Sequence, residues 1–107
     1  MSDVLHCPTC RAPWRGMAIC PRCGSDLAAL MRVAVKAWEL REAARAALCA
    51  GDRPAHALNL AHAACRLHTT RRGQRLLVLA LAAAGEMAEA HEIIEQLLEG
   101  HVPDRQA

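Results

Sequence analysis

Aromatic residues are almost absent from this sequence. It contains no Phe and no Tyr, and Trp14 and Trp38 are its only two tryptophans. β-Branched residues are also few, whereas Ala and Leu are abundant. Strands favour aromatic and β-branched side chains, while Ala and Leu are among the best helix formers. The composition therefore argues against an extensive sheet and predicts a mainly α fold, and 107 residues amount to one domain.

Long apolar runs are missing as well. No stretch approaches the roughly 20 consecutive apolar residues that span a bilayer. The first residues, Met1 to Leu5, do not form a basic segment followed by an apolar one, as a secretory signal would. We therefore expect a soluble, cytoplasmic protein with no membrane contact.

Cysteine is the residue type with the clearest pattern. Four of the six cysteines form two tight pairs, Cys7 with Cys10 and Cys20 with Cys23, spaced C-x2-C-x9-C-x2-C. Disulfides belong to secreted chains, so these pairs favour metal binding. Two intervening residues let one turn direct two sulfurs at a single ion, and four thiolates leave no open position on it. The pattern predicts one structural zinc ion per chain, with iron in the same thiolate cage as the competing assignment.

The cysteine segment resembles the short zinc ribbons found at the start of many bacterial and archaeal proteins. The resemblance covers residues 6–27, where Ile19 and Leu27 occupy the family's apolar positions before and after the second pair. Gly24 follows the second pair as in the family, but Arg11 stands where the first pair usually has Gly, which predicts strain or a changed shape in that turn. The resemblance implies a metal site formed by two cysteine knuckles that flank a short hairpin, and it implies no reaction.

Three arginines, Arg11, Arg15 and Arg22, lie close to the cysteines in the sequence. They can contact nucleic-acid phosphates, or they can offset the negative charge of a zinc ion bound by four thiolates. Trp14 is the only aromatic residue in this segment, so it offers little for base stacking. Nucleic acid is therefore the less favoured partner for the ribbon.

Four helices are predicted after the ribbon. The first has Asp26 as its N-cap and stops at Gly51, the second starts near Pro54, and the last ends at Glu99, before Gly100 and Pro103. The predicted ranges are 27–50, 54–67, 71–84 and 86–99. Thr69 and Thr70 separate the second helix from the third and can cap the third.

The first helix carries two apolar stripes, so it is expected to pack against both the ribbon and the other helices. We expect Trp38 or Met31 to contact the ribbon. The ribbon itself would have a small core of Trp14, Met17 and Ile19, too small to fold stably without metal.

An internal repeat underlies the helices, because Ala50-Gly51-Asp52 recurs as Ala84-Gly85-Glu86. The separation is about 34 residues, which is the length of the tetratricopeptide repeat. The chain resembles that family from about Lys36 to Leu98, with small residues (Ala44, Ala57 and Ala90) where helices must approach closely. The resemblance implies two antiparallel helical hairpins that bind protein or peptide. The predicted division is a ribbon at 1–26, a helical region at 27–100 and a tail at 101–107.

Two helical repeats are fewer than the roughly three that such stacks usually need. We expect the ribbon to cover one end, and the last hairpin or an oligomeric contact to cover the other.

Charge is also divided along the chain: residues 54–76 carry four Arg and no acidic residue, whereas residues 77–107 carry six acidic residues and one Arg. This division either serves partner choice or is a solvated surface. It also allows a homodimer with apolar contacts through Ile93, Ile94, Leu97 and Leu98.

Three residues of the second helix, His62, Cys65 and His68, can be viewed as a second metal or redox site. At a spacing of three residues, side chains shift progressively around the helix. Free cysteines are also commonly buried, so a structural role is favoured. Cys49 and Cys65 are expected to lie too far apart for a disulfide. We find no Ser/His/Asp arrangement, phosphate loop or paired-carboxylate cleft, so no enzyme activity is predicted.

The preferred function is therefore a non-catalytic, zinc-binding adaptor whose helices bind a protein partner. One alternative is a nucleic-acid-binding accessory protein that uses the ribbon arginines and the stretch from Arg66 to Arg75. Another is an assembly factor that delivers metal to an enzyme, which would require His62, Cys65 and His68.

Overall fold

The computed structural model describes the backbone of residues 4–106 and the side chains of residues 4–99. Four helices follow the cysteine segment: α1 (Ala28–Ala50), α2 (Pro54–Leu67), α3 (Arg71–Ala83) and α4 (Met87–Gln106). Over the described residues the β structure consists of two isolated bridges, His6 with Pro13 and Ile19 with Asp26. The predicted mainly α fold is confirmed, as are the four helices.

The start of α1 differs from the prediction by one residue. Asp26 was expected to be the N-cap, but Leu27 occupies that position and its side chain makes no cap hydrogen bond. The Asp26 carboxylate nevertheless accepts a hydrogen bond of 2.9 Å from the Ala28 N–H. Asp26 also takes part in a bridge with Ile19, so its backbone is held by the cysteine segment and the helix begins after it.

The remaining boundaries of the first three helices follow the predicted signals. Pro54 lies in the first turn of α2, where its missing N–H has no cost. Thr70 caps α3 by accepting a hydrogen bond of 2.9 Å from the Gly73 N–H. Gly51 and Gly85 follow α1 and α3 with φ angles of 76° and 84°, the left-handed conformation in which glycine has no steric cost.

The end of α4 was predicted wrongly. The helix was expected to stop at Glu99, but it continues to Gln106 and so includes most of the segment 101–107 that was predicted as a tail. Pro103 removes one backbone donor from a helix, but a proline inside a helix can kink it without ending it.

The helices pack in chain order. α1 contacts α2, α2 contacts α3 and α3 contacts α4, while α1 also contacts α3. Their shared core is built mainly from small side chains, and Leu81 is its largest fully buried residue within the described chain. The buried members of this core are Ala44, Ala61, Leu77, Ala80, Leu81 and Ala90. Alanine at these positions lets helices approach closely.

The molecule is elongated. Its Cα radius of gyration is 15.7 Å, against about 13 Å for a compact domain of about 100 residues. Its principal-axis extents are 46 × 33 × 15 Å, so the molecule is thin in one direction. Among the described residues, none of the helices combines the length and apolar character needed to cross a membrane.

Candidate metal centre

The first cysteine knuckle is held by backbone hydrogen bonds around one tight turn. The Arg11 N–H donates to the Cys7 carbonyl at 2.9 Å, and the Cys7 N–H donates to the Ala12 carbonyl at 2.9 Å. An outer bond of 2.8 Å from the Trp14 N–H to the Leu5 carbonyl closes the loop. Pro8 occupies the turn between the bonds, where its fixed φ angle suits the bend.

The second knuckle repeats the first, with Cys20 in the place of Cys7. Here the Gly24 N–H donates to the Cys20 carbonyl at 2.8 Å, and the Cys20 N–H donates to the Ser25 carbonyl at 2.9 Å. The outer bond, from the Leu27 N–H to the Ala18 carbonyl, is 2.6 Å long. The two β-bridges are related by the same shift along the chain, so the segment consists of two equivalent loops.

The two turns differ in the residue that ends them. Gly24 has a φ of 79°, and Arg11 at the equivalent position has a φ of 65°. Among the described residues, Arg11 is the only non-glycine residue with a positive φ. A side chain in this conformation costs about 1 to 2 kcal/mol. The expected strain at Arg11 is therefore present, and the shape of the turn is retained.

The two loops bring four sulfur atoms together. The Sγ atoms of Cys7, Cys10, Cys20 and Cys23 all lie within 4.8 Å of one another. The Cys7 and Cys23 sulfurs are 3.6 Å apart, and the Cys10 and Cys20 sulfurs are 3.7 Å apart. A disulfide would need about 2.05 Å, whereas a tetrahedral ion with metal–sulfur bonds of about 2.3 Å separates its sulfurs by about 3.8 Å. The cluster thus has the dimensions of a metal site.

Hydrogen bonds within the two knuckles lower the pKa values of three of these four cysteines. The Cys10 N–H is the main cause that lowers the pKa of Cys7, and the Cys23 N–H has the same effect on the pKa of Cys20. A hydrogen bond with the Ser25 hydroxyl, 3.2 Å from the Cys23 sulfur, lowers the pKa of Cys23. Thiolates are the form of cysteine that binds metal, so these contacts favour a bound cation.

Cys10 behaves differently. A hydrogen bond from the Ala12 N–H lowers its pKa, but burial and the neighbouring thiols outweigh it and raise the pKa of Cys10 to about 11. Without a cation, four thiolates this close would repel one another, which disfavours the charged form of Cys10. A metal ion would supply the positive charge that the cluster lacks.

The contact between the cysteine segment and the helices is made by residues other than those predicted. Leu27 is buried against Cys7 and Cys20, with Trp14 and Leu30 packed around them. Leu27 and Trp14 donate the equivalent outer hydrogen bonds of the two knuckles, so each closes its own knuckle and lies beside the sulfurs.

The predicted core of the ribbon and the predicted contact through Trp38 or Met31 were therefore largely wrong. Trp14 belongs to the core, and its Nε1–H donates to the Met17 carbonyl at 3.0 Å. Met17 and Ile19, however, are both 51% exposed, because their backbone, and not their side chains, takes part in the loop. Trp38 is 56% exposed and lines a cleft farther along α1, and Met31 is not part of the cluster around the sulfurs.

His62, Cys65 and His68 do not form a second metal cluster. Within the described residues, the only group of three or more suitable ligands is that of the four knuckle cysteines. The His62 Nε2 atom lies 3.5 Å from Glu89 Oε2 on α4, and burial raises the pKa of the Cys65 thiol. Cys49 and Cys65 are both free cysteines.

A cleft between α1 and α3 was missed by sequence reasoning. It has a volume of about 220 Å³ and is lined by side chains of both helices, including Trp38, Arg41, Arg72 and Leu79. The spacing of Arg41 with Arg45, and of Arg72 with Arg75, places each pair on one helix face. That spacing was visible in the sequence, but only the packing of α1 against α3 brings the two pairs together.

Comparisons of this chain with known protein families, with curated proteins and with solved structures gave no match. Its function is therefore inferred from the site and the surfaces themselves.

Proposed function

We propose that Cys7, Cys10, Cys20 and Cys23 hold one zinc ion in a structural site. Sulfur separations of 3.6 and 3.7 Å match the edges of a zinc–thiolate tetrahedron. Four protein ligands fill the coordination sphere, so no position remains for water or substrate, and the ion stabilises the two loops without taking part in a reaction. Iron fits the same ligands, and the metal content decides between the two.

Elemental analysis tests this site. We expect about one zinc per chain in protein purified without chelators, and a large loss of zinc in Cys7→Ser and Cys23→Ser. Cys49→Ser is the matched control, since Cys49 is an exposed free cysteine outside the cluster, and it should keep the full zinc content. Metal-free wild-type protein, or equal loss in the control, would refute the proposal, and iron in place of zinc would reject the choice of metal.

The helical region is proposed to be a tetratricopeptide-like array of two antiparallel hairpins that binds a partner protein, which makes the chain a non-catalytic adaptor. Gly51 and Gly85, which are equivalent positions of the internal repeat, follow α1 and α3 and have the same left-handed conformation. The small residues expected at close approaches, Ala44, Ala57 and Ala90, are all buried. α1 also contacts α3, as the first helices of stacked hairpins would. The observation that carries the proposal is the open cleft between those two helices.

Affinity capture with matched baits tests the adaptor function. We expect wild-type zinc-loaded protein to capture a protein partner from native extract, and Leu79→Glu to lose it, because Leu79 lines the cleft and is 61% exposed. Val35→Glu is the control, since Val35 is an exposed residue of α1 that does not line this cleft. No specific partner, or equal capture by Leu79→Glu, would contradict the proposal.

Nucleic acid is the second candidate partner because Arg11, Arg15 and Arg22 are all exposed around the knuckles. Their charge also offsets that of a zinc ion with four thiolates, which makes them the weaker basis for a function. Binding to nonspecific DNA or RNA that falls steeply with salt, and is lost in Arg15→Gln, would favour this candidate. Since His62 faces Glu89, we do not extend the proposal to metal delivery.

A further inference from the structure

The cleft between α1 and α3 has an unusual concentration of positive charge. Four arginines and one acidic residue line it. The acidic residue, Glu42, already forms an ion pair with Arg45. Arg41, Arg72 and Arg75 meet no carboxylate at ion-pairing distance among the described residues, so three guanidinium groups face a small cleft with no protein anion to balance them.

Arg41 is half-buried, whereas the other three arginines of the cleft are exposed. Its Nη1 atom is fully buried and has no hydrogen-bond partner in the described part of the chain. A buried donor without an acceptor costs about 1 to 3 kcal/mol, and more when the group is charged. The Arg41 Cδ atom lies beside Gly73 of α3, 3.4 Å from the position that a Cβ on Gly73 would occupy. The cleft is thus lined by an arginine that keeps one unsatisfied donor, and an oxygen anion is the acceptor that suits it.

The rim of the cleft is apolar. Trp38 on α1 and Leu79 on α3 are both more than half exposed. Tryptophan and arginine are among the residues most enriched at the energetic centres of protein interfaces, where an aromatic side chain covers desolvated polar contacts. A ligand for this site therefore combines negative charge with an apolar side chain.

A peptide fits this combination better than a nucleic acid does. The cleft holds about 220 Å³, less than the roughly 300 to 1,000 Å³ of typical small-molecule pockets, and this is room for one or two side chains. Single-stranded nucleic acid binds through successive stacked bases, whereas Trp38 is the only aromatic residue that lines the cleft. Carboxylates also pair with the planar guanidinium of arginine in a bidentate geometry.

We propose that this cleft binds an acidic peptide segment of a partner protein. A carboxylate of the peptide enters the cleft among Arg41, Arg72 and Arg75, and a neighbouring apolar side chain packs against Trp38 and Leu79 at the rim. The inference rests on the adaptor function proposed above and identifies the chemistry of the partner that such an adaptor would recognise.

Fluorescence anisotropy with synthetic peptides tests it on the full zinc-loaded chain. The probe is a fluorescein-labelled peptide of sequence Glu-Glu-Leu-Glu-Glu, and its matched partner has every Glu replaced by Gln. We expect saturable binding of the acidic peptide, and binding of the Gln peptide at least about tenfold weaker, because its amides cannot form charge-assisted pairs. Equal binding of the two peptides, or no saturable binding of either, would overturn the proposal.

Two variants that each remove one positive charge locate the binding site. Arg72→Gln should weaken binding of the acidic peptide about fivefold or more, because Arg72 is exposed and lines this cleft. Arg53→Gln removes the same charge from an exposed position beside α2 and should leave binding within about twofold. Trp38→Ala, with its helical circular dichroism checked, should also weaken binding.

Three results would refute the assignment. One is an equal loss of binding in Arg53→Gln and Arg72→Gln, which would indicate nonspecific charge attraction. Another is displacement of the peptide by single-stranded oligouridine at lower concentration than by unlabelled acidic peptide. The third is a dimer that Arg72→Gln dissociates, which would make a second copy of this chain the occupant. Capture of a partner through Leu79 with no preference for the acidic peptide would leave the adaptor function standing and reject acidic recognition.

Discussion

Arg11 ends the first knuckle turn at the position where the second turn has a glycine. It adopts the same left-handed backbone as Gly24, its counterpart in the second turn. The turn needs this conformation because the Arg11 N–H must reach the Cys7 carbonyl. The first cysteine turn therefore contains a strained residue, and the second turn has at the same position a glycine, which adopts this conformation without strain.

Arg11→Gly should raise the affinity of the chain for zinc. Relief of the positive φ contributes about 1 to 2 kcal/mol, and the greater freedom of glycine in the unfolded segment offsets part of it. We expect a net gain of about 1 kcal/mol, or about fivefold in zinc affinity, in competition with a chromophoric chelator. The equivalent change, Gly24→Arg, should lower the affinity by a similar factor. Unchanged affinity in both variants would show that the turns carry no strain.

Gly73 is a second residue whose environment decides its role. Helix propensity alone predicts that Gly73→Ala stabilises α3 by about 1 kcal/mol. A Cβ at this position, however, would lie 3.0 Å from the Thr70 Oγ1 atom, which is held in place as the acceptor of the Gly73 N–H. We therefore expect Gly73→Ala to destabilise the fold by about 1 kcal/mol.

A double-mutant cycle in urea denaturation tests the cause of that effect. Thr70→Ala alone should cost about 0.5 to 2 kcal/mol through loss of the cap. In the Thr70→Ala background the clash is gone, so Gly73→Ala should become neutral or stabilising. Additive losses would contradict the steric explanation.

At the scale of elements, α1 connects two cores. Its first turn supplies Leu30, which packs with Leu27 near the sulfurs. Its second half supplies Ala44 to the core shared with the other helices. None of the described residues belongs to both cores, so the loops and the helices are joined by one helix but are stabilised separately.

Chelation of the metal should therefore disorder the cysteine segment and leave most of the helical circular dichroism intact. The cysteine loops have two isolated bridges and few buried residues of their own, which is too little to fold without the ion. The helical core contains no cysteine ligand. Far-ultraviolet circular dichroism before and after excess chelator measures the outcome, with Cys49→Ser as a control for thiol effects. Complete loss of helical signal would show that the metal site governs the entire fold.

The whole molecule exposes a second apolar surface on its last helix. Ile94 and Leu98 are exposed on α4, and with Leu97 they line a cavity of about 220 Å³ beside Arg71 and Arg75 of α3. The exposed Glu92, Glu95 and Glu99 lie on the same helix. Apolar side chains next to both signs of charge suit contact with a second copy, in which opposite charges would set the orientation.

We predict that the chain forms a dimer at about 0.1 mM and low salt, where screening between charges is weakest. Leu98→Glu should shift it toward monomer, since Leu98 is 64% exposed and its replacement does not disturb the core. Met87→Glu places the same charge on an exposed residue at the other end of α4 and should leave the dimer intact. Light scattering measures both. A strictly monomeric wild-type mass would reject self-association, and a dimer unaffected by Leu98→Glu would reject this surface.

The sequence by itself determined the features that depend on local chemistry. The spacing of the four cysteines fixes two tight turns, and the paired sulfurs follow from it. The helix boundaries at Pro54, Thr70, Gly51 and Gly85 also follow from residues that act within a few positions of themselves. The abundance of alanine and the lack of aromatic residues determined the mainly α fold, because backbone propensity is a local property.

The tertiary structure alone decided which side chains meet. Trp38 and Met17 are large apolar residues of the kind that form cores, but both are exposed, because burial depends on how neighbouring elements are oriented. Leu27, not a second tryptophan, closes the second knuckle against the sulfurs, because that knuckle repeats the backbone of the first. The cleft exists only because α1 packs against α3 and brings arginines from distant parts of the sequence, such as Arg45 and Arg72, to its walls. Periodicity shows which residues share one helix face, but not which face of another helix it will meet.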